Sequence, residues 1–175
     1  MPSGITIVGL GPGSSRQWTL AAYQILTGAD EIFLRTEHHP SRPDIPGRTM
    51  SFDDWYGAGH DPLQTHQRVA AELVRLGRRE TGVVYAVPGH PRLDEPAIPL
   101  FQALAAAEQL PLAIIPGLSY LEATLSALEL MRPDDLQLLD DEVSDDRLRP
   151  HDAIGAFLGV LHYVLEEVLG EFHQN

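Results

Sequence analysis

Ile5-Thr6-Ile7-Val8-Gly9-Leu10-Gly11-Pro12-Gly13 is the stretch on which the reading of this chain turns. Ile5 to Val8 is a β-branched, mostly apolar run, the composition of a buried parallel strand. Three glycines in the next five residues let the backbone turn tightly and approach a ligand closely, because no Cβ intervenes. Ser14 and Ser15 are suited to cap a helix beginning near Gln17. Strand, glycine turn and helix N-terminus together make a site for a nucleotide-like ligand. The spacing is G-x-G-x-G rather than the dinucleotide fingerprint G-x-G-x-x-G, with Ser14 where the third glycine would fall. Asp30 and Glu31 lie roughly 20 residues on, where a ribose-binding acid would stand. From these residues alone, a glycine-rich β–α turn with no ligand is an equal reading.

Outward from this turn the chain alternates strands and helices. Trp18, Leu20, Ala21, Ala22, Ile25 and Leu26 recur at helical spacing, with Gly28 as a C-terminal stop. Residues 31–35 read as a second strand. Prolines at 40, 43 and 46 make residues 38–47 a loop. Residues 48–52 suit a short third strand, and 53–57 a helical turn. Residues 62–77 predict a helix with Val69, Leu73 and Leu76 on one face. Val83 to Val87 is the next buried strand, ending at Pro88-Gly89-His90-Pro91. A helix over about 95–108 leads into Leu112 to Ile115, which ends at Pro116-Gly117-Leu118-Ser119. Residues 120–130 read as helical, and 136–139 as a last strand. Such alternation implies right-handed crossovers and a mostly parallel sheet covered on both faces. The fold class expected is therefore α/β.

Residues 140–152 are dense in acids and carry no large apolar cluster, so they read as a solvated linker. Residues 153–175 then form a C-terminal amphipathic helix. Its stripe of Ile154, Phe157, Leu158, Leu161, Leu165, Val168 and Leu169 must pack on the sheet or on a second subunit. The expected organisation is a 1–139 α/β domain, a 140–152 linker and a 153–175 helix.

At 175 residues, 43% hydrophobic and 21% charged, the chain can bury one good core. No apolar run approaches the ~20 residues of a membrane helix, and the chain opens on a strand rather than a signal-peptide pattern. With no cysteine there is no disulfide framework and no thiolate metal site. A cytoplasmic protein is expected. The net charge is −13, and all twelve basic residues are arginine. Such a surface argues against nucleic acid as partner and gives no reason to expect a membrane. From Asp134 to Asn175 there are eleven acids and two arginines, so the last quarter differs in kind from the rest.

Three loops leave the C-terminal ends of predicted strands, at residues 9–13, 88–91 and 116–119. Open parallel sheets bind ligands at that edge, and Gly-Pro loops there bare the peptide groups that read an adenine–ribose ligand. Val8-Gly9-Leu10-Gly11-Pro12-Gly13 with Leu20, then Tyr85-Ala86-Val87-Pro88-Gly89-His90-Pro91, then Ile115-Pro116-Gly117-Leu118-Ser119 resemble the three signature segments of the S-adenosylmethionine-dependent tetrapyrrole (corrin/porphyrin) methylases. The closest variant is the methylase-like domain fused to MazG-type nucleotide pyrophosphohydrolases. That subgroup also has segments similar to Phe33-Leu34-Arg35-Thr36-Glu37-His38-His39-Pro40 and Ser51-Phe52-Asp53-Asp54.

The resemblance covers about residues 4 to 140. It implies two α/β domains, S-adenosylmethionine in the cleft between them, and usually a homodimer. It places Pro12 beside the ligand and the backbone of Gly89 and His90 on its methionine end. Leu93 would line the pocket, with Gly117, Leu118 and Ser119 near the adenosine. Gly9, Gly11, Gly13, Pro88 and Pro116 complete the cofactor-binding set. Most members carry G-D-P where this chain has Gly89-His90-Pro91. The family's second domain would also run well past Asp140, where this chain has only the linker and the helix.

Other candidates for chemistry are weaker. His38, His39, His60 and His66 lack metal-ligand spacing on a helix and read as loop histidines. His90 serves equally as a ligand contact or a loop-stiffening hydrogen bond. Asp53 and Asp54 beside Trp55 and Tyr56 read as a capped turn with an aromatic anchor. Glu166, Glu167 and Glu171 resemble the paired acids by which MazG-type enzymes hold Mg²⁺, but their spacing is E-E-x-x-x-E and a solvated helix face is the plainer reading. No residue stands out as a general base and no metal site is expected. The function expected is an S-adenosylmethionine-binding methyltransferase-like protein. The alternatives are a catalytically inactive ligand-binding or assembly module and a MazG-type pyrophosphohydrolase.

Overall fold

The computed structural model describes residues 3–56 and 61–127. The expected strand at 136–139, the acidic linker, the C-terminal helix with its glutamates, and His60 all lie outside them. Five parallel strands form one sheet: β1 Ile5–Gly9, β2 Glu31–Leu34, β3 Arg48–Ser51, β4 Val83–Val87 and β5 Leu112–Ile115. Their spatial order is β3-β2-β4-β1-β5. Five helices accompany them: α1 Leu20–Gly28, α2 Pro62–Gly77, α3 Pro91–Asp94, α4 Ile98–Ala107 and α5 Tyr120–Ala127. The chain divides into two compact units after Tyr120. Almost all of α5 lies in the second, where Ser126 Oγ donates back to the Glu122 carbonyl at 2.9 Å.

The central strands are apolar on both faces, and their alternation sorts two cores. Ile5, Ile7, Phe33, Tyr85 and Val87 join Val69, Leu73 and Leu76 of α2 and Ile98, Phe101 and Ala105 of α4 on one face. Val8, Leu10, Ile32, Leu34, Val84 and Ala86 join Ala22 and Leu26 of α1 on the other. Helices therefore cover both faces. Tyr85 and Phe101 are the bulkiest fully buried side chains, and they meet edge to face at 5.7 Å. Burying each such apolar side chain contributes about 1.5–3 kcal/mol.

Local chemistry sets the boundaries. The Asp61 side chain caps α2 by accepting from Leu63 N at 3.0 Å, with Pro62 in the first turn. At the far end, a Cβ on Gly77 would sit 2.8 Å from Ile5 Cγ1, so glycine lets α2 close down on β1. Two expectations are corrected. Ser14 and Ser15 do not cap a long helix; residues 15–17 form a 3₁₀ turn, and Thr19 caps α1 by accepting from Ala22 N at 3.2 Å. The helix expected over about 95–108 is α4, which starts three residues later at Ile98, and a short unexpected helix, α3, precedes it. Pro96 drives Glu95 out of helical geometry, to φ −119° and ψ 99°, and the chain restarts at Ile98.

Candidate functional site

The three Gly-Pro loops belong to β4, β1 and β5, which are adjacent in the sheet. All three strands are parallel, so their exits meet at one edge. Chain direction also reverses here, since α1 carries the chain from β1 toward β2 while the later crossovers return on the opposite face. This is the topological switch point at which such sheets bind ligands.

Main-chain atoms hold the loops together. Leu10 N donates to Val87 O at 2.8 Å, Gly11 N to Gly89 O at 3.2 Å, and Gly89 N to Gly11 O at 2.8 Å. Gly11 and Gly89 thereby form an antiparallel bridge, both at positive φ, +76° and +61°. A Cβ on Gly9 would lie 2.5 Å from Gly117 N and 2.6 Å from Gly89 O, and one on Gly117 would lie 2.4 Å from Gly89 O. Glycine at these positions is demanded by backbone packed on backbone. Thr19 Oγ1 adds a tie by donating to Pro116 O at 3.0 Å.

Gly9, Gly11, Gly89 and Gly117 meet through these contacts. Pro12, Pro88 and His90 are half-buried in the same loops, and Gly13 is buried, with Gln17 Oε1 2.6 Å from where its Cβ would be. Pro116 is exposed and Ser119 fully buried. Leu93 and Leu118 are exposed large apolar side chains at the loop exits, and Tyr120 follows them. Gln17 Oε1 and Trp18 Nε1, just past the glycine turn, are a buried acceptor and a buried donor without hydrogen-bond partners. Unsatisfied groups of this kind suit a polar ligand.

His90 stands where an aspartate is usual in the resembling segments. Its Nδ1 accepts from Arg92 N at 3.1 Å and caps α3, with Pro91 in the first helical turn. That is the work an aspartate carboxylate does at such a position. The imidazole thus keeps the loop's shape without the negative charge.

Sequence reasoning missed His39, taken as an ordinary loop histidine. It is buried at 7% exposure, and its Nε2 lies 3.0 Å from Gly11 O. Burial lowers its pKa below the usual imidazole value, only partly opposed by the bond to Gly11. Nearby, Arg35 stacks 3.3 Å over the Tyr56 ring, and its Nε lies 3.6 Å from the buried Glu95 carboxylate. Burial pushes the Glu95 carboxyl up despite the Ala97 N–H and Arg35, and pushes the Tyr56 phenol up to about 12. Among the described residues no group of three or more His, Asp or Glu is placed to hold a metal ion, and no helix is long and apolar enough to cross a membrane.

The family model for Tetrapyrrole (Corrin/Porphyrin) Methylases matches residues 4–153. The chain belongs to that family. The uncharacterized protein YabN of Bacillus subtilis (strain 168) is 35% identical over 144 residues, covering 80% of this chain and 29% of YabN. Among solved structures, a cobalamin biosynthetic enzyme, cobalt precorrin-4 methyltransferase, matches at TM-score 0.55 and 26% identity, covering 77% of this chain and 54% of that one. Uroporphyrin-III-C-methyltransferase from Thermus thermophilus matches at TM-score 0.56 and 22% identity, covering 74% and 54%. The same enzyme complexed with S-adenosylhomocysteine matches at 0.50 and 20%, covering 71% and 51%. This tetrapyrrole methylase chain spans just over half the length of those enzymes and under a third of YabN.

Proposed function

We propose that this tetrapyrrole methylase domain binds S-adenosylmethionine at the edge formed by β4, β1 and β5 and serves methyl transfer. The observation that carries the reading is the closure of three adjacent strand exits into one main-chain platform, β1 and β4 by the Gly11–Gly89 bridge and β5 by Gly117 packed on Gly9 and Gly89. Family membership supports it, and one structural relative has been solved with S-adenosylhomocysteine. The residues fit such a ligand: a glycine platform without Cβ atoms, an unpaired donor and acceptor at Trp18 and Gln17, and apolar Leu93 and Leu118.

When bound, the cofactor supplies an electrophilic methyl group. The chain's part is positional. Pro12 lies against the ligand, the Gly89 and His90 backbone holds its methionine end, and Gly117, Leu118 and Ser119 take the adenosine. Gly9, Gly11, Gly13, Pro88 and Pro116 hold the three loops to shape. Fixing the reacting centre and excluding water from it is most of what such a transfer needs. The domain works as a cytoplasmic homodimer on a small molecule, without nucleic acid or membrane.

A second reading, a module that binds the ligand without turnover, is favoured by His90 standing where the resembling segments usually carry an aspartate. Calorimetric titration with S-adenosylmethionine and S-adenosylhomocysteine, beside a Gly11→Arg variant, tests both. Micromolar binding lost in the variant supports the cofactor site. Absence of binding at millimolar ligand overturns it. Binding without methyl transfer to any tetrapyrrole offered favours the module.

A further inference from the structure

We infer that His39 is a positioning residue for the glycine loop, the working end of a strap that runs from the β3 exit through the β2 exit loop to the Gly11 carbonyl. The inference rests on the cofactor reading above and names how that site keeps its shape. Two stretches that the three-loop platform leaves without a role, Phe33–Pro40 and Ser51–Asp54, are the parts of this strap.

Its anchor is Asp53. One carboxylate oxygen accepts from Glu37 N at 2.8 Å and from Ser51 Oγ at 2.7 Å, while Ser51 Oγ accepts from Asp53 N at 2.9 Å. Further along, Thr36 Oγ1 accepts from His38 N at 3.1 Å. The backbone on either side of residue 37 is thus pinned before it reaches His39.

The imidazole then spans the gap to the first loop. Ser41 N lies 3.3 Å from His39 Nδ1, and a backbone N–H can only donate, so Nδ1 carries no proton. Ser41 Oγ lies 2.9 Å from the same nitrogen. In the neutral ring the proton is therefore on Nε2, which donates to Gly11 O at 3.0 Å across 28 positions of sequence. Gly89 N donates to that oxygen at 2.8 Å. Two donors fill both lone pairs of the carbonyl and fix the plane of the Gly11–Pro12 peptide. Pro12 has a ring-locked φ and no N–H, so the orientation of that peptide passes directly into the direction of the next residues. His39 is buried behind the loop and acts on a ligand through Gly11, as a positioning group rather than a contact.

The test is calorimetric titration of S-adenosylhomocysteine into the whole chain, as wild type, His39→Ala and His39→Gln, each checked for cooperative thermal unfolding. Glutamine keeps an amide N–H near the Nε2 position. The expected result is wild-type binding, about tenfold weaker binding in His39→Ala, the worth of one buried hydrogen bond, and recovery to within about threefold in His39→Gln. Wild type that does not bind at millimolar ligand sinks the cofactor reading, and this inference with it, before any variant is considered. Wild-type binding with His39→Ala unchanged overturns the inference alone. Equal loss in both variants also overturns it, because packing rather than the donor is then at stake. If His39→Ala does not fold, ¹⁵N spectroscopy of the wild-type imidazole decides. An Nε2–H tautomer whose resonances shift on saturation with ligand supports the strap; an Nδ1–H tautomer, or resonances that do not move, overturns it.

Discussion

A single methyl group separates glycine from alanine, and at Gly117 that methyl has a carbonyl oxygen in its place, 2.4 Å away and part of the backbone. Neither partner can rotate aside. Gly117→Ala is expected to destabilise the domain by about 1–3 kcal/mol, read as a lower urea midpoint at unchanged slope. Gly28 is the contrast, because nothing lies within 4 Å of its would-be Cβ. Gly28→Ala is expected to stabilise by about 0.4–1 kcal/mol in the same assay. His39 gives a prediction in pH. Its folded pKa is depressed by burial, whereas in the unfolded chain it returns to about 6.5. Between those two values the unfolded state holds a proton that the native state lacks. Stability is therefore full above about pH 6.5 and is lost as pH falls through the folded value. Urea unfolding at several pH values from 7.5 to 5 should show this loss, and His39→Gln should remove that component. None of this was legible at His39 itself, because its partner lies 28 residues upstream and no local spacing announces it.

Elements were legible where local chemistry fixes both ends. Asp61-Pro62 and Gly77 bracket α2, and the expected limits are those observed. The four residues of α3 are too few to show a helical period and were missed, and α4 was started three residues early although Pro96 carried the signal. Thr19 was missed for a related reason: Ser14 and Ser15 offered cap residues earlier, and the intervening 3₁₀ turn cannot be told from a helix start by residue type. Thr19 serves two elements at once, capping α1 and tying it to the β5 exit. Thr19→Ala is expected to cost about 0.5–2 kcal/mol in urea unfolding, and to loosen amide-exchange protection in both the first turn of α1 and the 116–119 loop.

At the scale of the whole molecule, strand content and parallel direction followed from the alternation of elements, but the order β3-β2-β4-β1-β5 did not. Order depends on which face each helix packs against, a contest among distant surfaces that the pattern of one segment does not record. The three loops were grouped by their common place after strands, and only the sheet order makes them neighbours. A ligand held there touches all three and none of the unfolded chain. S-adenosylhomocysteine at a hundred times its dissociation constant should accordingly raise the unfolding free energy by about 2.7 kcal/mol, seen as an upward shift in melting temperature. An unshifted melt would contradict binding to the native state.

The place of β1 in the sheet has a consequence for how the chain is made. Ile5 finds its hydrogen-bonding partners at Val83 and Leu112, so β1, paired on both sides in the finished sheet, is synthesised before either of its neighbours. At about 5–20 residues per second, an apolar ribbon with two open edges waits on the ribosome for several seconds until β4 appears, and longer for β5. Nascent chains halted before residue 83 hold that ribbon with neither neighbour, which makes them the species most in need of a chaperone and most prone to associate through β1.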